Sequence, residues 1–163
     1  MARIIPLEDT HWPGAWAIIE PVFRAGETYG VATDISEAAA HAKWVREAAA
    51  SYVALDDAGA VVGTYFLKPN YGGPGAHVAN CGYIVAESAR GQGLAAAMCR
   101  HSQREAVAAG YRAMQYNFVV ATNDAAIRVW RREGFAVVGT LPGAFDHPRH
   151  GFVDAHVMFK TLV

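Results

Sequence analysis

The sequence predicts an α+β fold, with a mixed, mostly antiparallel sheet of about six or seven strands, about four helices and a central parallel strand pair. Three observations predict it. Two early segments have helical periodicity, the next segments alternate as a hairpin does, and the second half reads strand, helix, strand, helix, strand. A helix that connects two neighbouring strands brings the second back in the same direction, so this half contains the parallel pair. A chain of 163 residues has the size of one domain, 1–163.

The composition of the chain disfavours several classes of protein. Hydrophobic residues make up 53% and charged residues 18%, the reverse of a disordered chain. The formal net charge of −1 favours neither a nucleic acid nor an anionic membrane as partner. No apolar run approaches the roughly 18 residues of a membrane span, and the first residues lack a signal-peptide core, so we expect a cytoplasmic protein. Cys81 and Cys99 lie among apolar residues, and we expect buried free thiols.

The first part of the chain predicts a short strand and a helix. Residues 3–6 form the strand. Pro13 suits the first turn of the helix, Pro21 is expected to kink or end it, and residues 26–30 form a loop. One side of this helix carries Trp12, Trp16, Ile19 and Phe23.

The next part predicts a second helix and a β-hairpin. Ser36 is a candidate N-cap for a helix over residues 37–50. Two alternating apolar segments, 52–55 and 61–67, flank the turn residues 56–59 and are expected to pair as a hairpin.

The middle of the chain predicts a loop over residues 70–75, a strand over 77–85, a helix over 91–109 and a strand over 112–120. The small and medium side chains on one face of this helix let it pack closely against the sheet. They are Leu94, Met98, Ser102 and Ala106.

The last part predicts a short helix and two strands. Asn123 caps the helix and Gly134 ends it. Residues 135–139 and 152–162 supply the strands. Residues 147–150 are expected to form a loop beside the acceptor site.

The strongest local signal lies at the junction of a strand and a helix, over residues 85–95. Gly91 and Gly93 let the backbone approach a ligand without interference from a Cβ atom. Unpaired N–H groups and the positive end of the helix dipole favour an anion there, and Arg90 adds a positive charge. The spacing matches neither the Gly-x-Gly-x-x-Gly motif nor a P-loop.

A second motif begins about thirty residues later, and the pair resembles the GNAT superfamily of acetyl-CoA-dependent N-acyltransferases. The first motif has that superfamily's Arg/Gln-x-x-Gly-x-Gly/Ala pattern, and the second has its Asn-x-x-Ala-x-x-aromatic helix followed by Gly-Phe. The matching residues are Arg90, Gly93 and Ala95, and then Asn123, Ala126, Trp130, Gly134 and Phe135.

The resemblance implies acetyl-CoA as co-substrate and a set of residues that contact it. Backbone amides of residues 90–95 would hold the pyrophosphate, and the pantetheine arm would pair with the strand that ends at Val85. Asn123 would hold that arm or line the opposite wall. The implied coenzyme-binding residues are Ile84, Val85, Arg90, Gly91, Gln92, Gly93, Leu94, Ala95, Asn123 and Trp130.

Trp130 departs from the pattern, because many members have a tyrosine there that protonates the leaving thiolate. An indole N–H donates a hydrogen bond but is not a usable acid. A thiol has a pKa of about 8.5, so the thiolate of the coenzyme is an adequate leaving group even without a dedicated general acid.

Residues 114–120 and 141–148 resemble, more narrowly, the branch that acetylates small amino acids and proline analogues. That resemblance implies that Asn117 contacts the substrate. We expect the site to bind a small-molecule amine and to use Glu27 as first candidate base, with His150 as the second. We expect no metal, because no helix aligns His147 with His150. The expected catalytic residues are Asn117, Glu27 and His150, and the expected substrate-binding residues are Glu27, Thr28, Tyr29, Asn80, Asn117 and His147.

Two alternatives stay open. The acceptor amine can belong to a protein N-terminus or a lysine, or the chain can be a non-catalytic acyl-CoA-binding module, which Trp130 makes conceivable. A homodimer is also left open.

Overall fold

Seven strands form one sheet in the computed structural model, which describes residues 1–163. The strands are β1 (Arg3–Pro6), β2 (Ala50–Leu55), β3 (Val61–Pro69), β4 (Val78–Val85), β5 (Ala113–Val120), β6 (Ala136–His147) and β7 (Gly151–Thr161). The helices are α1 (Trp12–Ala25), α2 (Glu37–His41), α3 (Leu94–Ala108) and α4 (Asp124–Arg132). A π-helical turn (Ala42–Arg46) extends α2, and short 3₁₀ turns cover Asp9–His11, Gly73–Gly75 and Glu87–Ala89. None of the helices combines the length and apolar character needed to cross a membrane.

The strand order is β1-β2-β3-β4-β5-β7-β6, and only β4 and β5 run parallel. This arrangement confirms the predicted mixed sheet with its central parallel pair. β4 and β5 pair only where Val78 faces Ala113 and Ala79 faces Met114. The two strands then separate, and the Asn80 side-chain amide donates to the Gln115 carbonyl oxygen at 3.0 Å where the pairing ends. The opening between residues 81–85 and 115–120 is called the β4–β5 gap below.

Helices cover both faces of the sheet, because each strand directs alternate side chains to opposite sides. On β4, Cys81 packs in the cluster that contains α3 and α4, whereas Ile84 packs in the cluster that contains α1 and α2. Cys81 and Cys99 are buried free thiols, as predicted, and burial raises the pKa of Cys81 to about 12. These thiols therefore stay protonated and act as small apolar side chains.

Both early helices differ from the sequence-based boundaries. α1 does not end at Pro21 but continues through it to Ala25, because Pro21 lies on the exposed side while Ile19 and Phe23 remain buried. The second helix has the predicted Ser36 cap, whose hydroxyl oxygen accepts from the Ala39 N–H at 3.2 Å. It is much shorter than predicted, because Ala50 already pairs with β3. A run of alanines favours a helix, but strand pairing prevails here.

The strand predicted over residues 135–139 continues well beyond its predicted end. It is β6, which pairs with β7 up to His147 opposite Gly151. A register shift between Leu141 and Phe145 accommodates the Pro142-Gly143 pair. β6 is an edge strand, where a proline without an N–H group is tolerated.

Candidate active site

The start of α3 presents a row of backbone N–H groups that have no partner in the protein. Gly91 and Gly93 have φ values of +74° and +79°, and a Cβ atom at either would meet no other atom within 4 Å. Gly93 is the N-cap residue, and no side chain caps the helix. The N–H groups of residues 91–96 make no hydrogen bond within the protein. Their dipoles and the helix dipole together make an open cradle for an anion such as a pyrophosphate.

The side chains around this cradle leave its backbone accessible. Arg90 is exposed and forms no ion pair, so its charge is available to an anion. The Gln92 side chain instead donates to the Ser88 carbonyl oxygen at 3.1 Å and stabilises the turn. Leu94 is buried in the core and Ala95 is half-buried, so both offer the cradle only their N–H groups.

The β4 edge that faces the gap has backbone groups that β5 does not reach. Ala86 donates its N–H to Val62 on β3, so strand alternation directs the Ile84 N–H to β3 as well. The N–H groups of Tyr83 and Val85 then point into the gap. The Tyr83 carbonyl oxygen accepts the Tyr29 hydroxyl proton at 2.9 Å. Val85 therefore has a backbone donor beside the gap, whereas Ile84 does not.

Aromatic side chains fill the α3 side of the gap. The Trp130 ring lies 4.9 Å from the Tyr83 ring and 5.2 Å from the Tyr116 ring, measured between centroids. The Tyr83 hydroxyl lies 2.7 Å from the Ser102 hydroxyl and 2.9 Å from the Tyr116 hydroxyl. Burial raises the pKa of both tyrosines well above the usual value, so both stay protonated. The indole N–H of Trp130 has no protein acceptor and is reached by solvent.

Sequence reasoning missed this hydroxyl cluster, although a signal for it was present. Tyr83 follows Cys81 by two residues, and Tyr116 follows Met114 by two. Because both strands bury alternate side chains against α3, the sequence pattern directs both tyrosines to the face of the sheet that Ser102 covers.

A cavity of about 700 Å³ lies on the opposite side of the sheet from α3. It is bordered by the loop that follows α1, by the end of β5 and by β6. Tyr29 and Phe118 connect it to the gap, because Tyr29 bonds to β4 and Phe118 belongs to β5. The lining residues are Gly26, Tyr29, Gly30, Val31, Thr33, Phe118, Ala144, Phe145 and Asp146.

Comparison with known proteins identifies the family. The model of the acetyltransferase (GNAT) family matches residues 13–135, which is most of the chain. The chain belongs to the GNAT acetyltransferase family. The acyltransferase expected from the sequence is thus confirmed at the level of the family.

Solved and curated relatives agree with this assignment. A GCN5-related N-acetyltransferase from Kribbella flavida is 38% identical, with a TM-score of 0.94 and coverage of 98% of this chain and 97% of that one. A phosphinothricin acetyltransferase from Sinorhizobium meliloti, solved in complex with acetyl-CoA, has a TM-score of 0.85 at 20% identity and shares the fold, with coverage of 98% and 88%. The N-acetyltransferase aca1 of Schizosaccharomyces pombe is 33% identical over 98 residues, which are 60% of this chain and 47% of that protein. The chain thus spans about half the length of that curated relative.

Some residues expected at a GNAT acceptor site border the cavity. Tyr29 lines it, and Glu27 and Thr28 belong to the same loop. The Glu27 carboxylate forms an ion pair with Arg149 at 2.9 Å, which joins this loop to the turn between β6 and β7.

Two histidines lie in or beside that turn. His147 is buried, and its Nδ1 accepts the Arg149 backbone N–H at 3.2 Å. The exposed His150 ring lies 4.6 Å from the His147 ring. No three His, Cys, Asp or Glu side chains converge as metal ligands.

Other expected residues are engaged away from the cavity lining. Asn117 accepts from Gln115 at 2.9 Å and donates to the Asn70 side chain at 2.6 Å, which turns its amide toward the loop after β3. Asn80 bridges to β5 at the base of the gap. Asn123 caps α4, where its Oδ1 accepts from the Ala126 N–H at 3.3 Å. Its amide nitrogen has no partner in the protein and can donate to a ligand.

Proposed function

We propose that the protein transfers an acetyl group from acetyl-CoA directly to the amine of a small acceptor molecule. The observation that carries this proposal is the row of unpartnered N–H groups at residues 91–96, beside the open β4 edge. A pyrophosphate accepts from these groups, and an extended pantetheine arm pairs with a free strand edge. The acceptor cavity adjoins the same gap through Tyr29 and Phe118.

Each part of the coenzyme has a set of residues that fits it. Residues 91–96 and the Arg90 charge suit the pyrophosphate, and the gap edge with Val85 suits the pantetheine arm. The amide nitrogen of Asn123 is available to the arm from the opposite side of the gap. Acetyl-CoA supplies the acetyl group as a thioester.

The protein's contribution to the chemistry is to position the amine, accept its proton and stabilise developing negative charge. An acceptor ammonium must lose a proton before its nitrogen attacks. We propose the Glu27 carboxylate as the first candidate for the base that accepts this proton, and His150 as the alternative candidate. The new C–N bond then forms as the C–S bond breaks, and the nitrogen releases its second proton to solvent. The Val85 N–H is placed to donate to the carbonyl oxygen, where charge develops. The thiolate leaves with the electron pair and takes a proton from solvent, because Trp130 offers no usable acid.

For the acceptor we propose a free amino acid or an amino-acid analogue. The supporting observation is the cavity of about 700 Å³, which suits a small molecule, together with Arg149, whose partner Glu27 lies in the loop that borders the cavity. A protein N-terminus or lysine would instead be the acceptor if peptides proved to be the better substrates.

The test is thiol release from acetyl-CoA with a panel of free amino acids, simple amines and peptides, with mass spectrometry of the products. We expect thiol release that depends on the amine, with one acetyl group added to the acceptor. Tight acetyl-CoA binding without thiol release for any amine would indicate a non-catalytic acyl-CoA-binding module.

A further inference from the structure

The lining of the acceptor cavity is largely apolar. Tyr29, Phe118 and Phe145 contribute three aromatic rings, and the Phe118 and Phe145 rings lie 6.0 Å apart at 52°. Asp146 is the one charged residue in the lining. An aromatic or branched apolar group would bury its surface against these rings, whereas a methyl group would leave most of the cavity to water.

One arginine in the segments that border the cavity is available to a ligand. Arg149 follows the lining residue Asp146 by three positions, and its partner Glu27 follows the lining residue Gly26. Arg24 also lies nearby, but its guanidinium donates to the Thr33 and Ile35 carbonyl oxygens, at 2.6 and 2.8 Å, and to Glu20. The Arg149 guanidinium forms an ion pair only with Glu27, and its side chain is 68% exposed. An exposed ion pair contributes little net stability, so a ligand carboxylate can replace Glu27 at small cost.

The backbone around Arg149 is fixed even though its side chain is exposed. The Arg149 N–H donates to Nδ1 of His147, and the His147 ring is 4% exposed. This bond holds the turn beside Asp146, a lining residue. Arg149 is therefore anchored at its backbone and can exchange its carboxylate partner.

We propose that the acceptor is an α-amino acid with a bulky apolar or aromatic side chain, which packs against Phe118 and Phe145 while its carboxylate replaces Glu27 on Arg149. The proposal rests on the proposed function, because the same cavity holds the amine to be acetylated. It restricts the acceptor to amino acids with large side chains. In this respect it differs from the small amino acids and proline analogues expected from the sequence. It also frees the Glu27 carboxylate when substrate is bound, so that Glu27 can then accept a proton.

Three acceptors separate the contribution of the carboxylate from that of the aromatic ring. Phenylalanine carries both the carboxylate and the aromatic ring, phenethylamine lacks the carboxylate, and alanine lacks the ring. For the wild-type protein we expect kcat/KM for phenylalanine to exceed that for each of the others by roughly 10- to 100-fold.

Two variants assign these preferences to residues. Arg149→Gln should lower kcat/KM roughly 10- to 100-fold for phenylalanine and should not lower it for phenethylamine, which has no carboxylate for Arg149 to bind. Phe118→Ala should lower it about tenfold for phenylalanine and much less for alanine, which has no ring to pack there. Arg46→Gln is the matched control, because Arg46 is exposed and lies in the π-helical turn, away from the cavity lining.

Binding to the protein saturated with coenzyme A, measured by calorimetry, keeps this proposal separate from the proposed function. Selective binding of phenylalanine without any thiol release would support the acceptor class and overturn the proposed function. Equal kcat/KM for phenylalanine and phenethylamine, or for phenylalanine and alanine, would overturn the acceptor class. So would an equal loss for both acceptors in Arg149→Gln.

Discussion

The Tyr29 hydroxyl donates a hydrogen bond to the Tyr83 carbonyl oxygen at 2.9 Å. This bond connects the loop that follows α1, called the acceptor loop below, to the open edge of β4. Burial raises the pKa of the Tyr29 phenol, so the hydroxyl remains a donor at every physiological pH. One wall of the cavity is thereby fixed relative to the strand edge where the coenzyme is expected to bind.

Removing this hydroxyl should loosen the acceptor loop. Tyr29→Phe leaves the ring in place but deprives the Tyr83 carbonyl of its side-chain donor, at a cost of about 1 kcal/mol in unfolding free energy. We expect a higher KM for the acceptor with an unchanged Kd for acetyl-CoA, measured by steady-state kinetics and calorimetry. An acceptor KM equal to that of the wild type would show that the bond does not position the loop.

Gly93 tests the anion cradle. A side chain there occupies open space that the pyrophosphate needs, and it strains a backbone with φ of +79°. Gly93→Val should weaken acetyl-CoA binding at least tenfold, or about 1.4 kcal/mol.

Gly59 provides the matched control for Gly93→Val. It has φ of +83°, and a Cβ atom there also meets nothing within 4 Å, but it lies in the turn between β2 and β3. Gly59→Val should reproduce the backbone strain in thermal unfolding and leave calorimetric affinity intact. Equal affinity for both variants would remove the cradle assignment.

Trp130 is expected to act as a wall of the coenzyme channel. Trp130→Phe keeps an aromatic ring against Tyr83 and Tyr116 and should retain most of the turnover. If the indole N–H stabilised the transition state, kcat would fall on the order of 10²-fold with coenzyme affinity unchanged. Measuring both kcat and the Kd of acetyl-CoA for Trp130→Phe distinguishes a wall of the channel from a hydrogen-bond donor in the transition state.

His101 should make stability depend on pH. Burial lowers the pKa of its imidazole from the usual 6.5, although Glu105 partly opposes this shift. The unfolded chain then binds more protons than the folded one just below pH 6.5, so this contribution is complete above 6.5 and is lost as pH falls toward the folded-state pKa.

His101→Gln isolates that contribution from those of the carboxylates. The Gln side chain retains an acceptor for the Tyr65 hydroxyl, which lies 2.7 Å from Nδ1 in the wild type. Urea unfolding between about pH 7 and pH 5 should show the wild type losing stability relative to the variant. If the free energy of unfolding varied with pH in the same way for the wild type and His101→Gln, the proposed contribution of His101 would be contradicted.

Much of the fold could be predicted from local signals. The Ser36 and Asn123 caps, the hairpin turn at residues 56–59 and the buried face of α3 all follow from residue types at fixed spacing. The errors arose where long-range pairing overrides local preference. Ala50 leaves a run of alanines to pair with β3, and β6 continues through Pro142 because β7 pairs with it.

The two halves of the candidate site differ in how far the sequence specifies them. The proposed coenzyme half depends on a contiguous turn, so residues 90–95 could be predicted for it from the sequence alone. The acceptor half is assembled from distant segments, and neither the Glu27–Arg149 pair nor the contact of Phe118 with Phe145 has a signal in sequence spacing. Asn117 was expected to face the substrate, yet its amide turns toward Asn70, which a strand pattern does not reveal.

Amide NMR spectra recorded during titration with acetyl-CoA test whether the start of α3 holds the pyrophosphate. The largest shifts should fall on the N–H signals of residues 91–96 and of Val85, since these groups gain acceptors only when the coenzyme binds. Gly59, in the hairpin turn between β2 and β3, should shift much less. Saturable binding that leaves residues 91–96 unchanged would contradict the claim that the start of α3 holds the pyrophosphate.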